Sequence, residues 1–445
     1  MDKVRQYFEN TSLHGPKYIT EFGRHYVEKF LWILVFTAAS TLGVYLTVRI
    51  VNKWNQTPTL TSISTTNFPL NKIPFPAVTI CPNTKGLRGK IVNEICRQSW
   101  TDHMDPDLVL LGLYNAISPM LGPENEYEND STENFLDLTI TEVISVLKRV
   151  SPKCSDYLLH CTWNSVKYNC SELFKVTSTD VGFCCSFNLV PPNQILSNIG
   201  NSDNLDDDFD DDDEDDEEDE DDYGGENYNY EDTTVEDYAA LYSSCDHWLT
   251  HLLLNGTKDQ WEGTCDAIEA KDGSKTNKIT STVFSTKYVL GHGLDDGLSL
   301  IIDPLVCELL STDFFDGLKV YVHNSDTFPE VGQRGFIVDK ATVNYVALNA
   351  YVTESSMDIK RYSNTTRLCN FPDERQLKYY KNYTRANCEL EAKIDNFKTK
   401  CGCKPYYFPG DFVICDKEGM KCIRQNQSKE TYFYTIFHNV LNLQM

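Results

Sequence analysis

The 21 residues from Leu31 to Val51, LWILVFTAASTLGVYLTVRIV, carry no charge before Arg49. As a helix rising 1.5 Å per residue they are about 31 Å long, the thickness of a bilayer core, so the segment is read as a membrane-crossing helix. A secretory signal would have a shorter apolar region nearer the start, followed by a small-residue cleavage site. Lys3, Arg5, Lys17, Arg24 and Lys29 precede the segment, whereas Arg49, at its edge, and Lys53 are the basic residues close behind it. The positive-inside rule then puts the N-terminus in the cytosol and the chain from about Asn52 onward outside the cell.

That topology decides how the 16 cysteines are used. Zinc sites call for C-x2-C knuckles or nearby histidines, and the close pairs here are Cys184-Cys185 and the C-x-C of Cys401 and Cys403. His247 and His251 lie near Cys245 without a second ligand cluster, so no metal site is assigned to them. Disulfides are the favoured use, and they require an oxidising compartment. Sequons at Asn55, Asn129, Asn169, Asn255, Asn364, Asn382 and Asn426 all follow the apolar segment and are glycosylation candidates.

The formal charge of -26 is largely one local feature: Asp206 to Asp222 holds 16 acids and one Phe, and the rest of the chain carries -10. Residues 191–236 cannot bury enough apolar surface to offset the entropy of ordering and read as a disordered acidic insertion. The functional alternative is a sponge for cations near a pore mouth, but such a run lacks the spaced ligands and Gly turn of a Ca2+ loop.

Patterning divides the remainder. TLTSISTTNFPLNKIPFPAVTIC (Thr59 to Cys81) reads as a strand returning from the membrane, and residues 85–180 as a mostly helical periphery containing NFLDLTITEVISVLKRV (Asn134 to Val150). Between Ser281 and Tyr351, STVFSTKYVLGHG, LSLIID, LKVYVH and ATVNYVALNAYV read as the strands of a sheet core. In ERQLKYYKNYTRANCELEAKIDNF, Leu377, Tyr380, Tyr383, Leu390, Ile394 and Phe397 fall near helical spacing, ahead of the cluster CGCKPYYFPGDFVICDKEGMKC. There is no G-x-S-x-G elbow, P-loop or H-E-x-x-H, and an enzyme is not expected.

Several stretches, in order, resemble the degenerin/epithelial sodium channel (amiloride-sensitive sodium channel) family, most closely its insect pickpocket-type branch. His14-Gly15 resembles the cytosolic gating dipeptide, FPAVTIC (Phe75 to Cys81) the post-membrane strand, and GFCCSFN (Gly182 to Asn188) a G-x-C-x-x-F-N motif. GLSLIID (Gly297 to Asp303) and GLKVYVHNSDTFPEV (Gly317 to Val331) are similar to palm strands. Arg367 to Cys369, YTRANC (Tyr383 to Cys388) and CGCKPYYFP (Cys401 to Pro409) are similar to the thumb region.

The resemblance implies an α+β membrane protein with a disulfide-rich, hand-like ectodomain of β-sheet palm and helical finger and thumb. Its subunits form homo- or hetero-trimers in the plasma membrane, Na+ is the permeant ion, and no cofactor is needed. The implied layout is a cytosolic segment 1–29, span 30–51, wrist and first palm strand 52–81, finger and knuckle 82–190, acidic insertion 191–236, finger continuation 237–280, palm 281–365, thumb 366–425 and tail 426–445. Cys81 would pair with Cys184, Cys401 with Cys422, and Cys403 with Cys415. Trp54, just past the span, is expected at the membrane interface or against the thumb, and His323 as a hydrogen-bonded strand histidine or a proton sensor.

The chain departs from the pattern in two ways. The thumb helix has Ala392 where the family has a second cysteine, and the family's later cysteine group and second apolar span have no counterpart up to Met445. Cys369 and Cys388 would then pair with each other or stay free. The expected function is a subunit of a ligand- or stimulus-gated sodium channel, incomplete as given. The alternative is a single-span, non-conducting binding or assembly module. Expected partners are other channel subunits, the lipid bilayer and an extracellular ligand, with no nucleic acid.

Overall fold

A computed structural model of the chain describes residues 6–7, 15–21, 23–56, 62–83, 86–98, 138–197, 284–293, 295–305, 317–367 and 369–426. The acidic run 206–222, His247, His251 and residues 427–445 lie outside them. Two compact units are present: Met1–Thr66 with Val352–Phe371, and Asn67–Tyr351 with Pro372–Asn439.

In the first unit, α1 (Pro16–Thr20) precedes α2 (Tyr26–Gln56). The 31 residues of α2 would extend about 46 Å, so the helix overruns the 30–51 segment at both ends. Among the described residues it is the one helix long and apolar enough to cross a membrane. Its large side chains are exposed along its length, among them Leu34, Leu42, Val44 and Ile50, as suits a surface solvated by lipid. Thr37, Thr41 and Thr47 return their hydroxyls to carbonyls one turn back, so these polar groups are satisfied within the helix.

The second unit is mixed α/β. Its main sheet is antiparallel in the order β4-β5-β1-β7-β8, from β4 (Phe174–Thr179), β5 (Gly182–Phe187), β1 (Ala77–Pro82), β7 (Gly317–His323) and β8 (Phe336–Asp339). A second antiparallel sheet runs β3-β2-β6, from β3 (Val166–Tyr168), β2 (Leu158–Trp163) and β6 (Leu298–Ile302). β1 lies at the centre, where Thr79 faces Ser186 on one neighbour and Tyr321 on the other. Aromatic packing of Phe75, Trp163, Phe174 and Phe187 fills the space beneath it.

Three helices form the other core. Helix α4 (Ile140–Val150) starts on a capping box, Thr139 with Glu142, and buries Val143, Ile144, Leu147 and Val150 at i, i+1, i+4 and i+7. It packs with α3 (Arg88–Arg97), and the apolar face of α5 (Arg385–Cys401) belongs to the same buried cluster. Helix α5 is capped by Thr384 and ends at Gly402, whose φ of 72° is the left-handed value a helix stop favours. Burying Leu390, Ile394 and Phe397 is worth about 1.5–3 kcal/mol each.

The structure corrects several pattern readings. Within residues 85–180, expected as a mostly helical periphery, 158–179 hold the strands β2, β3 and β4 with a one-turn helix, Cys170–Leu173, before β4; Asn164 and Ser165, both at positive φ, make the tight turn between β2 and β3. Of the strand expected over 59–81, the described residues form Ala77–Pro82. Residues 284–293 form one isolated bridge, Tyr288 to Pro74, rather than a strand. Residues 342–351 have no ladder partner among the described residues, although Val343, Tyr345 and Val346 keep a strand-like composition. The helix read from residue 374 begins at Arg385, because the preceding segment spends its backbone bonds elsewhere: Ser197 N–H donates to Tyr379 O and Lys381 N–H to Ile195 O.

Candidate functional site

The cytosolic dipeptide of the sequence reading is represented by Gly15; His14 lies outside the described residues. Gly15 caps α1 with φ 109°, a backbone region unfavourable to side-chain-bearing residues, and its carbonyl accepts from Tyr18 N–H at 3.1 Å. A Cβ there would come within 3.3 Å of Phe36 Cδ2 on α2. The chain therefore folds back along the apolar helix. Tyr18 stacks on Trp32 at 4.7 Å, and the Arg24 guanidinium sits 5.0 Å from the Tyr18 ring while pairing with Glu21 and Glu28. A displacement of the first turns of α2 has to move α1 or break these contacts.

In the second unit covalent bonds tie distant segments. Cys81 is joined to Cys184, Cys401 to Cys422 and Cys403 to Cys415; Cys154–Cys185 and Cys161–Cys170 are two further bridges. Cys184 and Cys185 alternate across β5, so one reaches β1 and the other the one-turn helix Cys154–Tyr157. Cys96 is also disulfide-bonded. Cys369 and Cys388 are free, the first exposed and the second half-buried. Around Cys369, the buried Arg367 donates to Cys369 O and Tyr362 O and lies over the Phe371 ring, which fixes the loop.

His323 ends β7 as a buried strand histidine with both ring nitrogens engaged. Nδ1 lies 2.9 Å from Asn324 O, which can only accept, so Nδ1 carries the proton. Nε2 then accepts from Thr79 Oγ1 at 2.9 Å, and Thr79 in turn accepts from Ser186 Oγ at 2.8 Å. Burial lowers the imidazole to about 4, against the opposing pull of Asn324 O, so His323 is neutral at physiological pH.

Sequence reasoning missed the carboxylates that join the sheet to α5. Glu330, nearly buried after β7, pairs with Lys393 on α5 and with Arg334 at 3.2 Å. Asp180, in the β4–β5 turn, accepts from Gly332 N–H at 2.9 Å. Burial raises its carboxyl to about 6, and the Glu330 charge adds to the rise. No local spacing signals these pairs, since Asp180, Glu330 and Lys393 come from three distant stretches. A third missed group, Glu94 on α3, is held by Arg149 of α4 and by Arg97.

Among the sequons, Asn55 lies exposed in the last turn of α2, and Asn169, Asn364 and Asn382 are exposed. Asn426 is half-buried, and Asn129 and Asn255 lie outside the described residues. Trp54 is exposed near the end of α2.

The described residues thus present one helix long and apolar enough to cross a membrane, a segment folded back against it, and a disulfide-laced α/β unit. Residues 7–442 match the amiloride-sensitive sodium channel family, and the chain belongs to that family, one of ion channels rather than enzymes. It is 26% identical over 407 residues to Pickpocket protein 28 of Drosophila melanogaster, covering 91% of this chain and 56% of that one. It is 22% identical over 424 residues to Sodium channel protein Nach of Drosophila ananassae, covering 94% and 64% respectively. Acid-sensing ion channel 1 of Gallus gallus is 25% identical over 166 residues, 36% of this chain and 28% of that protein. The chain thus spans less than two thirds of the length of Pickpocket protein 28 and this Nach protein.

Proposed function

We propose that this chain is a subunit of a stimulus-gated, amiloride-sensitive sodium channel of the plasma membrane, assembled as a homo- or hetero-trimer. Its N-terminus is cytosolic and its disulfide-bonded unit extracellular, with the two sheets as palm, α3 and α4 in the finger, and α5 with the Cys401–Cys422 segment as thumb. The observation that carries this reading is the family match over residues 7–442. The fold-back of Gly15 onto Phe36 supplies the mechanical element: a stimulus that shifts α2 shifts the cytosolic segment with it. Na+ is the permeant ion.

The test is voltage-clamp recording from cells expressing the chain alone and with full-length pickpocket-type subunits, with surface labelling in parallel. An amiloride-blocked sodium current that depends on this chain supports the proposal. A chain that reaches the surface and only suppresses its partners' current supports instead a non-conducting assembly module. A surface-expressed chain that leaves every partner's current unchanged refutes both.

A further inference from the structure

Asn426 differs from the other described sequons in what its side chain touches. Residues 417–426 are helical, so Cys422 and Asn426 stand one turn apart on the same face, beside the bridge from Cys422 to Cys401 at the end of α5. The Asn426 side-chain nitrogen lies 2.9 Å from Cys422 O, a contact only an N–H can make, which fixes the orientation of the amide. The same nitrogen lies 3.6 Å from Cys401 Sγ and 3.5 Å from Cys422 Sγ. One of its two hydrogens is held by the carbonyl and the other faces the disulfide.

N-glycosylation would use this nitrogen. Nδ2 bonds to the anomeric carbon of a lipid diphosphate-linked oligosaccharide, the carbon–oxygen bond to the diphosphate breaks, the lipid diphosphate leaves, and one amide proton passes to a base of the transferring enzyme. With the side chain held as it is by the Cys422 carbonyl, replacing either hydrogen puts the first sugar against that carbonyl or against the bridge. We infer that a glycan on Asn426 and the closed Cys401–Cys422 disulfide are mutually exclusive, so that the sequon is modified only on chains in which that bridge is open. Asn169 and Asn382 are exposed, Asn169 engaging its side-chain oxygen and not its nitrogen, and the exposed Asn364 nitrogen donates to another side chain, Asn370 Oδ1, rather than facing a disulfide. The inference rests on the proposed orientation, with the disulfide-bonded unit in the secretory lumen during synthesis. Bridge closure would thereby set the glycan pattern at the tip of α5, and the pattern would record the redox history of each molecule.

The experiment is glycopeptide mass spectrometry of the full chain from a secretory expression host, with non-reducing peptide mapping of Cys401 and Cys422. The expected result is occupancy at exposed sequons, none at Asn426 in bridged wild-type chains, and one additional endoglycosidase-sensitive mobility step in the Cys401→Ser/Cys422→Ser variant. Adding Asn426→Gln to that variant removes the step. Should the variant fail to fold, the wild-type chain synthesised under a membrane-permeant reductant shows the same added step. A peptide carrying both the Asn426 glycan and the intact bridge overturns the inference, as does an Asn426 left bare when the bridge is absent and other sequons are filled. Chains with no sequon occupied at all overturn the orientation itself, and the inference with it.

Discussion

Glu94 is the side chain whose loss the second unit should feel most sharply with pH. Its carboxylate is 4% exposed between α3 and α4. Arg149 grips it with two bonds of 2.7 and 2.9 Å, Arg97 with two of 3.0 and 3.1 Å, and Gln98 adds one of 3.0 Å. Burial alone would push this acid up, but the hydrogen bonds from Arg149, Arg97 and Gln98 outweigh it and bring it down from 4.5 to about 2. Each tenfold change in proton affinity corresponds to about 1.4 kcal/mol, so the ionised form is worth about 3 kcal/mol to the fold. The folded value is depressed, so this stability is fully present above pH 4.5 and is lost as the pH falls through 2.

Glu94→Gln removes the charge while keeping the shape. Both arginines are partly exposed and can turn to water, so the expected loss at pH 7 is about 2–3 kcal/mol. In urea that lowers the midpoint by about 1 M. Far-UV circular dichroism of the detergent-solubilised chain, disulfides intact, reads the midpoint at pH 7, 4 and 2.5. The gap between wild type and variant should be full at pH 7 and should close toward pH 2. His323, lowered from 6.5 to about 4, also costs the fold stability as the pH falls from 6.5 through 4, but it does so in both proteins and cancels from the difference. A gap that stays constant from pH 7 to 2.5 would refute the assignment of the ion pair as the source of stability.

Three further outcomes are expected. Gly15→Ala, with φ 109° and Phe36 3.3 Å from the new carbon, should open the fold-back by about 1–2 kcal/mol and speed tryptic cleavage at Arg24 roughly tenfold. Asp180 is raised to about 6, so its contribution is fully present below the unfolded value near 3.8 and lost as pH rises through 6; Asp180→Asn should abolish this fall in the pH-dependent melting curve. Lys393→Met leaves Glu330 buried with only Arg334 against it, at a cost of about 2–4 kcal/mol in thermal melts, and adding Glu330→Gln should restore part of the loss.

What the sequence made legible tracks how local each signal is. The core face of α5 could be read because Leu390, Ile394 and Phe397 recur with the helix itself. Its start was misplaced because Leu377, Tyr380 and Tyr383 imitate that spacing, while their backbone pairs with residues 195–197, far along the chain. The β2–β3 turn did leave a signal, Asn164-Ser165 between apolar residues, yet it was lost among the helical patches around it. For residues 342–351 the alternation describes a pleat, but a strand is also defined by its neighbour, and composition cannot name one.

The candidate site divides along the same line. Gly15 is singled out in the sequence by the family resemblance of His14-Gly15 alone, and the structure adds a φ of 109° that favours a residue without a Cβ. The resemblance supplied three cysteine pairings and was silent on Cys154–Cys185 and Cys161–Cys170. Glu94, Asp180, Glu330 and Lys393 were invisible for a different reason: each is one of many charged residues, and only burial beside a distant partner distinguishes it. The fold-back is a local device, while the ties between the sheet and α5 are long-range and electrostatic. Motif changes should therefore act on the apolar helix, whereas substitutions at Glu94 and Asp180 should alter how the disulfide-bonded unit responds to pH.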